Sequence, residues 1–130
     1  MLKSFALGIG FAAALTGAAL AADGGYVPNR TILQQTDAPD NHTVVMAVTE
    51  IAAGMTVARH THPGAEISYL LQGECDFIIE GLGKKHIKAG ESFRLESGVK
   101  HSVVNGPGIT KVLAIYIIPK GAAVATPAPE

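Results

Sequence analysis

Short runs of alternating apolar and polar residues follow one another along most of the chain. Eight of these runs are rich in Val, Ile, Thr and aromatic residues, which are typical of strands. They occupy residues 42–51, 55–62, 66–72, 74–80, 84–89, 91–96, 101–105 and 111–119. Gly, Pro, Asn or Asp separates most of them, at a spacing of about 8–12 residues that is typical of all-β sandwiches and barrels. The pattern therefore predicts a small all-β domain.

The connections between the runs indicate antiparallel pairing. The runs at 74–80 and 84–89 flank Gly81-Leu82-Gly83, which is a hairpin signal. The runs at 66–72 and 74–80 meet at Gly73. No connection is long enough for a crossover helix, so a parallel βαβ architecture is excluded.

Residues 1–21 have a different pattern, that of a secretory signal peptide. Lys3 precedes an apolar run from residue 5 to 20, Ala19-Leu20-Ala21 fits an A-x-A cleavage site, and Asp23 is the first acidic residue. The alternatives are a membrane anchor or a buried helix, but the run is short compared with the roughly 20 residues of a membrane span and its many Gly and Ala residues make it weakly hydrophobic. We expect an exported protein, periplasmic or secreted, with no membrane attachment once the signal is removed.

The remaining chain divides into three parts. Residues 22–41 form a polar extension in which the run at 30–36 is expected to be an edge strand. Residues 42–120 form the β-barrel domain. Residues 121–130 contain small residues and two prolines, and we expect a disordered tail.

Charge and cysteine content exclude some functions. The formal net charge is −1, and removal of residues 1–21 takes away Lys3 and no acidic residue, which leaves −2. Lys84, Lys85 and Lys88 form the one basic cluster, so we expect no nucleic-acid partner. Cys75 is the single cysteine; it can form no intrachain disulfide, and its alternating context predicts a buried side chain.

The candidate chemistry begins at His60 and His62. Residues i and i+2 of a strand share a face, and Glu66 has the same parity beyond the Pro63-Gly64 turn. Imidazoles and a carboxylate suit a divalent first-row metal. A His-x-His pair alone is also typical of solvated surface histidines.

The wider spacing around this pair resembles the signature of the cupin family. The first cupin motif, G-x5-H-x-H-x3,4-E-x6-G, is filled at every fixed position by Gly54, His60, His62, Glu66 and Gly73.

The second cupin motif, G-x5-P-x-G-x2-H-x3-N, is matched at every fixed position but one. Gly90, Gly98, His101 and Asn105 fill their positions, and Glu96 stands where the family usually has proline. Proline is not a metal ligand, so this difference concerns the rigidity of a turn.

The resemblance implies a fold and a metal site. The fold is a small jelly-roll, or double-stranded β-helix, barrel. His60, His62, Glu66 and His101 are implied to bind one divalent transition metal, and this ligand set accepts Mn, Fe, Ni, Cu or Zn. Three imidazoles and one carboxylate leave one or two positions open for water, dioxygen or a chelating compound.

Other residues are candidates around the site. Glu66 is the best candidate proton acceptor, with Glu96 as a second option. Tyr69 is expected either to hydrogen-bond a substrate or to pack in the core, whereas His42 and His86 are expected at the surface. The candidate pocket-wall residues are Ser68, Leu70, Phe77, Ile79, Phe93 and Tyr116.

Two functions remain open on this basis. The resemblance implies dioxygenase- or isomerase-like chemistry on a small oxygen-chelating compound; the alternative is a non-catalytic periplasmic metal- or ligand-binding module. A regulator's sensor domain is disfavoured because the chain has no DNA-binding segment. We also expect a homodimer, because small cupins commonly pair through an edge strand or exchange terminal strands, and the runs at 30–36 and 111–119 are the candidates for either.

Overall fold

The computed structural model describes residues 27–130, and the predicted signal peptide at 1–21 lies outside this part. Within it, no helix is long and apolar enough to cross a membrane. All regular elements of residues 27–130 are strands: β1 (Asn29–Ala38), β2 (His42–Ile51), β3 (Thr56–Thr61), β4 (Ala65–Gln72), β5 (Glu74–Ile79), β6 (Gly83–Lys88), β7 (Ser92–Leu95), β8 (His101–Asn105), β9 (Thr110–Pro119) and β10 (Thr126–Pro127).

The strands form two five-stranded antiparallel sheets. One sheet has the order β1-β2-β9-β4-β7 and the other the order β10-β3-β8-β5-β6. Each of the eight predicted runs coincides with one strand to within one or two residues at either end, because the alternation that defines the runs lets one face of each sheet be buried against the other. The all-β, jelly-roll prediction is confirmed.

The core lies between the sheets and consists of two apolar clusters. In β2, alternate residues from Thr43 to Ile51 are buried, and in β9 alternate residues from Thr110 to Ile118 are buried. One cluster is centred on Leu70 and Phe77, and the other contains Val45, Tyr116 and Ile118, among others. Burial of each large apolar side chain stabilises the fold by about 1.5–3 kcal/mol.

Cys75 belongs to the core, as predicted, with 2% of its surface exposed. Burial raises the pKa of its thiol to about 12, so the side chain is an unreactive apolar group at neutral pH.

The two candidate edge strands differ in their positions. The run at 30–36 lies in β1, at the edge of its sheet. The run at 111–119 lies in β9, which is hydrogen-bonded to β2 on one side and β4 on the other. Residues 111–119 therefore offer no free edge for strand pairing, because both sides of β9 already have partners, and their exchange between two copies stays a prediction.

The C-terminal tail also differs from its expected disorder. Residues Thr126 and Pro127 form β10, which pairs with Thr61 and His60 of β3. The main-chain N–H of Ala128 then donates to the carbonyl of Arg59 at 3.0 Å. The tail satisfies main-chain groups of a strand that would otherwise be an edge. Such backbone pairing does not depend on apolar side chains, so the small residues and prolines gave no sign of it.

Two glycines allow close backbone approaches near the predicted site. A Cβ atom at Gly64 would overlap the carbonyl oxygen of Ile117, so the turn between β3 and β4 lies directly on β9. Gly73 has φ 80°, and a Cβ there would overlap the Thr110 side chain. The positive φ and the close approach of Thr110 each require a residue without a side chain at position 73. This explains why the first motif ends in a fixed glycine.

Candidate metal centre

His60 and His101 lie opposite each other on neighbouring strands. Their Cα atoms are paired across β3 and β8, and their ring centroids are 4.2 Å apart. The pairing of these strands shifts register between Val57 and His60. Such irregularities are frequent beside functional sites, where they re-aim a side chain, and here the shift precedes the residue that faces His101.

His62 follows β3 directly and completes a cluster of three histidines. Its ring centroid lies 5.0 Å from that of His60 and 5.1 Å from that of His101. One ring nitrogen from each of the three lies within 4.8 Å of the others, so the cluster can hold a metal ion. The i, i+2 spacing and the distant His101 are therefore brought together as predicted.

Main-chain carbonyls hold all three rings by the same nitrogen. Nδ1 of His60 is 2.7 Å from the Ala58 carbonyl, and Nδ1 of His101 is 3.0 Å from that of Val99. Nδ1 of His62 is 2.7 Å from the carbonyl of Val124. A carbonyl only accepts, so each Nδ1 carries a proton, and in the neutral ring Nε2 is the nitrogen with the lone pair. This is the arrangement found for metal-binding histidines, and the residues fit a metal ion.

Burial keeps two of the rings neutral. It lowers the pKa of His60 to about 4, with the nearby His101 acting in the same direction. The pKa of His101 is also lowered, again mainly by burial. Since neutral imidazole is the metal-binding form, both rings are ready to bind a metal at neutral pH.

Glu66 adds a buried carboxylate to the cluster. Its Oε2 is 2.9 Å from Nε2 of His62, and the Ser68 hydroxyl donates to Oε1 at 2.6 Å. Burial acts to raise the pKa of Glu66, but the bonds from His62 and Ser68 outweigh it and the pKa is lowered. Because Nδ1 of His62 carries its proton toward Val124, the contact between Nε2 and the carboxylate requires a second proton or a cation.

Two cavities lie beside the cluster and share His60 as a wall residue. The smaller, of about 40 Å³, is lined by the three histidines and Glu66, with Phe77 and Tyr116 among its apolar and aromatic walls. The larger, of about 340 Å³, lies between the start of the described chain, β3 and the C-terminal tail. His60 lines both.

The predicted pocket wall is correct in part. Phe77 and Tyr116 line the smaller cavity, and Ser68 reaches it through Glu66. Phe93 packs behind Phe77, with ring centroids 4.2 Å apart. Leu70 and Ile79 belong to the apolar core and do not line either cavity.

Several other candidates lie away from the cavities. Glu96 is exposed and pairs with Arg94 at 3.0 Å, so it is not a proton acceptor for the site. Tyr69 is 45% exposed and neither lines a cavity nor packs in the core. His86 is at the surface as expected, with Nδ1 2.7 Å from Asp76. His42 is half-buried rather than exposed, and its Nδ1 is 2.9 Å from the Asp40 carbonyl.

Asn105, the last position of the second motif, has a structural role. Its side-chain nitrogen lies 3.0 Å and 2.8 Å from the carbonyls of Ile51 and Ala52, and 3.0 Å from that of Gly108. The side chain thereby ties the ends of three segments together and holds β8, which carries His101.

Sequence reasoning missed two residues at the site. Arg30 of β1 lines both cavities, and Val124 supplies the carbonyl that holds His62. Arg30 offered one weak signal: it is the charged first residue of a run whose other residues are all uncharged. Val124 offered none, because its contribution is a main-chain atom that any residue carries.

Comparison with known proteins defines the class. The model of a family described as "Cupin domain" matches residues 47–116, more than half of the chain. The chain belongs to the cupin family. No curated protein sequence matches it.

Solved structures with the same fold include proteins of different activities. An uncharacterised conserved protein with a double-stranded β-helix domain from Klebsiella pneumoniae is similar at 23% identity and TM-score 0.63, over 85% of this chain and 84% of that one. DMSP lyase DddQ from Ruegeria pomeroyi is similar at 22% identity and TM-score 0.68, over 86% of this chain and 57% of that one.

The polyketide cyclase RemF from Streptomyces resistomycificus is similar at 18% identity and TM-score 0.56, over 70% of this chain and 75% of that one. At these identities the likeness shows the fold, and the residues of the site must indicate the function.

Proposed function

We propose that this chain is a metal-dependent cupin enzyme. It binds one divalent transition metal through His60, His62, His101 and Glu66, and it acts on a small oxygen-chelating compound by dioxygenase- or isomerase-like chemistry. The observation that carries the proposal is that a main-chain carbonyl holds each of the three rings by its Nδ1. Each Nδ1 donates to a carbonyl, so Nε2 of each ring is the nitrogen left to bind a metal ion.

The chain's own residues would bind the compound and move its protons. A bound divalent metal supplies Lewis acidity, which polarises an oxygen of the compound. Glu66 is the buried carboxylate that can accept a proton at Oε2, while the hydroxyl of Ser68 holds Oε1. Burial raises the pKa of Tyr116 to about 12, and the Glu66 charge acts in the same direction, so its phenol stays protonated and can donate.

The cavities suit a small compound. The larger, of about 340 Å³, lies at the low end of the roughly 300–1,000 Å³ range of ligand pockets. Its walls include Val57, Val124 and Ala125, which exclude water from an apolar body. A compound seated there would contact His60, the member of the histidine cluster that lines both cavities.

The substitution Glu66→Gln tests catalysis. It keeps the shape of the side chain and removes its negative charge, so we expect turnover to fall by about 100-fold or more. Wild-type protein loaded in turn with Mn, Fe, Ni, Cu or Zn would be assayed on chelating acids and enols by oxygen uptake and by NMR. Glu96→Gln, on the exposed face, is the matched control and is expected to keep full activity.

A non-catalytic metal- or ligand-binding module is the second candidate. The observation that favours it is the lowered pKa of Glu66, because a carboxylate held below its usual pKa is a weak proton acceptor. Stoichiometric metal with no turnover on any member of the panel would support this function over the enzyme.

We also propose that the protein is exported. The support is the pattern of residues 1–21, with its single early lysine, apolar run and A-x-A end. Expression with a C-terminal tag, followed by fractionation and N-terminal mass analysis, is expected to show a periplasmic chain cut after Ala21 or Ala22. An intact N-terminus in the cytoplasmic fraction would contradict export.

We also propose that the protein forms a homodimer through the outer face of the sheet β1-β2-β9-β4-β7. Ile67 and Leu71 of β4 and Ile117 of β9 are exposed there, although they are large and apolar. A second copy would cover this face and leave β1 at its margin. Light scattering is expected to give a dimer mass for wild type and a monomer mass for Ile67→Glu with Leu71→Glu. A monomeric wild type would refute the dimer.

A further inference from the structure

Arg30 brings a positive charge into the walls of both cavities. Its Cα pairs with that of Thr49, a buried residue on the inner face of β2, so Arg30 enters the sheet on the side of the core. It lines the smaller cavity with Glu66 and the larger cavity with His60. The guanidinium carbon lies 5.4 Å from the centroid of the Tyr116 ring, which holds the group by a cation–π contact.

The guanidinium is incompletely bonded. Its Nε is buried and has no hydrogen-bond partner, and no carboxylate among residues 27–130 forms an ion pair with it. Arg59, which also lines the larger cavity, differs in this respect because it pairs with Glu80 at 2.9 Å. A buried donor without a partner is unfavourable. Arg30 is half-buried and contacts Tyr116, but its buried Nε has no partner, so a guanidinium in this position suits an acceptor supplied by a ligand.

We propose that Arg30 binds the carboxylate of the compound that this site takes, and that the compound is a small carboxylic acid. The planar guanidinium offers paired N–H donors that match the two oxygens of a carboxylate. The proposal rests on the proposed function for the metal site, since the same compound would reach the histidine cluster with a second oxygen.

The charges around the cavities agree with an anionic ligand. Arg59 is neutralised by Glu80, and Glu66 lies beside His62 in the smaller cavity. Arg30 therefore contributes the unpaired positive charge of the larger cavity. The other walls there include Val27, Val124 and Ala125. Their low polarity strengthens the attraction between a guanidinium and a carboxylate and favours a compact apolar body.

Matched pairs of ligands that differ in charge test this assignment. The probes are acetate, lactate, pyruvate and 2-hydroxyisobutyrate, each with its neutral amide, titrated calorimetrically into protein loaded with Zn²⁺. We expect at least one carboxylate to bind wild type about tenfold or more tightly than its amide. Arg30→Gln is expected to abolish this preference. Arg30→Lys keeps the positive charge but lacks the planar pair of N–H donors, so it is expected to retain part of the preference. Arg94→Gln, an exposed arginine, is the control and is expected to keep the full preference.

The outcomes separate this inference from the metal site. A role limited to stacking on Tyr116 would change stability without changing the ratio of carboxylate to amide affinity. Equal binding of both members of every pair by wild type, no binding of any carboxylate, or a preference that survives in Arg30→Gln and Arg30→Lys would overturn the inference. Zinc content is measured on each sample: its loss from wild type would count against the proposed function, whereas its retention leaves the ligand data as a test of Arg30 alone.

Discussion

His62 donates its Nδ1–H to the main-chain carbonyl of Val124 at 2.7 Å, across 62 positions of the sequence. This bond leaves Nε2 as the nitrogen of His62 that is available to the candidate metal site. The tail that supplies the carbonyl is in turn held by the pairing of β10 with β3 and by the bond from Ala128 to Arg59. The C-terminal tail is therefore a structural part of the site.

Removal of the tail should weaken metal binding more than folding. Deletion of residues 121–130 removes the acceptor of His62, and loss of such a supporting bond commonly lowers metal affinity by about 10–100-fold. Competition with a chromophoric chelator measures the affinity, and circular dichroism checks the fold. Deletion of residues 129–130, beyond Ala128, is the matched control, and equal affinities in the two truncations would contradict the role of Val124.

The turn between His62 and Glu66 should tolerate no side chain at Gly64. A Cβ there would overlap the carbonyl oxygen of Ile117, so Gly64→Ala must displace either the turn or β9. We expect a loss of about 3 kcal/mol or more in the free energy of unfolding, measured by urea denaturation. Gly108→Ala, where a Cβ would meet nothing within 4 Å, should change it by less than about 1 kcal/mol. Similar effects in the two variants would show that the close approach at Gly64 is not maintained.

Acid should destabilise the metal-free protein through His60. Its pKa is about 4 in the folded chain against an ordinary value of 6.5, so the unfolded chain binds the proton first as the pH falls. Stability from this group is complete above pH 6.5 and is lost between pH 6.5 and 4. A difference of that size corresponds to at most about 3.4 kcal/mol. His101, whose pKa is also lowered, acts in the same direction.

Urea denaturation in the presence of a metal chelator, at intervals from pH 7 to 4, measures how the free energy of unfolding changes. His60→Gln is expected to show a shallower fall in stability over this range than wild type, while His42→Gln should follow the wild-type curve. A His60→Gln curve parallel to that of wild type would contradict the origin of the effect in His60.

The spacing of residues predicted more of the site than of its surroundings. Alternation located β2 to β9, because one face of each of these strands is buried and the period of two is visible in the sequence. The same-face rule and the second motif placed His60, His62 and His101 together. Glu66 was found as well, since its distance from His62 is set by one short turn.

What the sequence did not reveal depends on contacts between distant segments. Tyr69 and Leu70 are neighbours in a strand with apolar residues on both faces, so alternation alone could not tell which one faces the core. The role of Val124 comes from its carbonyl, and the order of strands that makes β9 central is a property of the whole sheet. Arg30 was missed because its importance lies in its buried Nε, which has no partner among residues 27–130, and this depends on the folding of β1 against the sheet.

Metal content tests the central claim most directly. The protein is expressed with each candidate metal, dialysed and analysed by inductively coupled plasma mass spectrometry. We expect about one metal ion per chain. His60→Ala, His62→Ala and His101→Ala should each lower this value severalfold, and His86→Ala, at the exposed hairpin, should leave it unchanged. Wild-type protein that binds none of the five metals, or cluster variants that retain the wild-type content, would contradict the assignment of the three histidines as a metal centre.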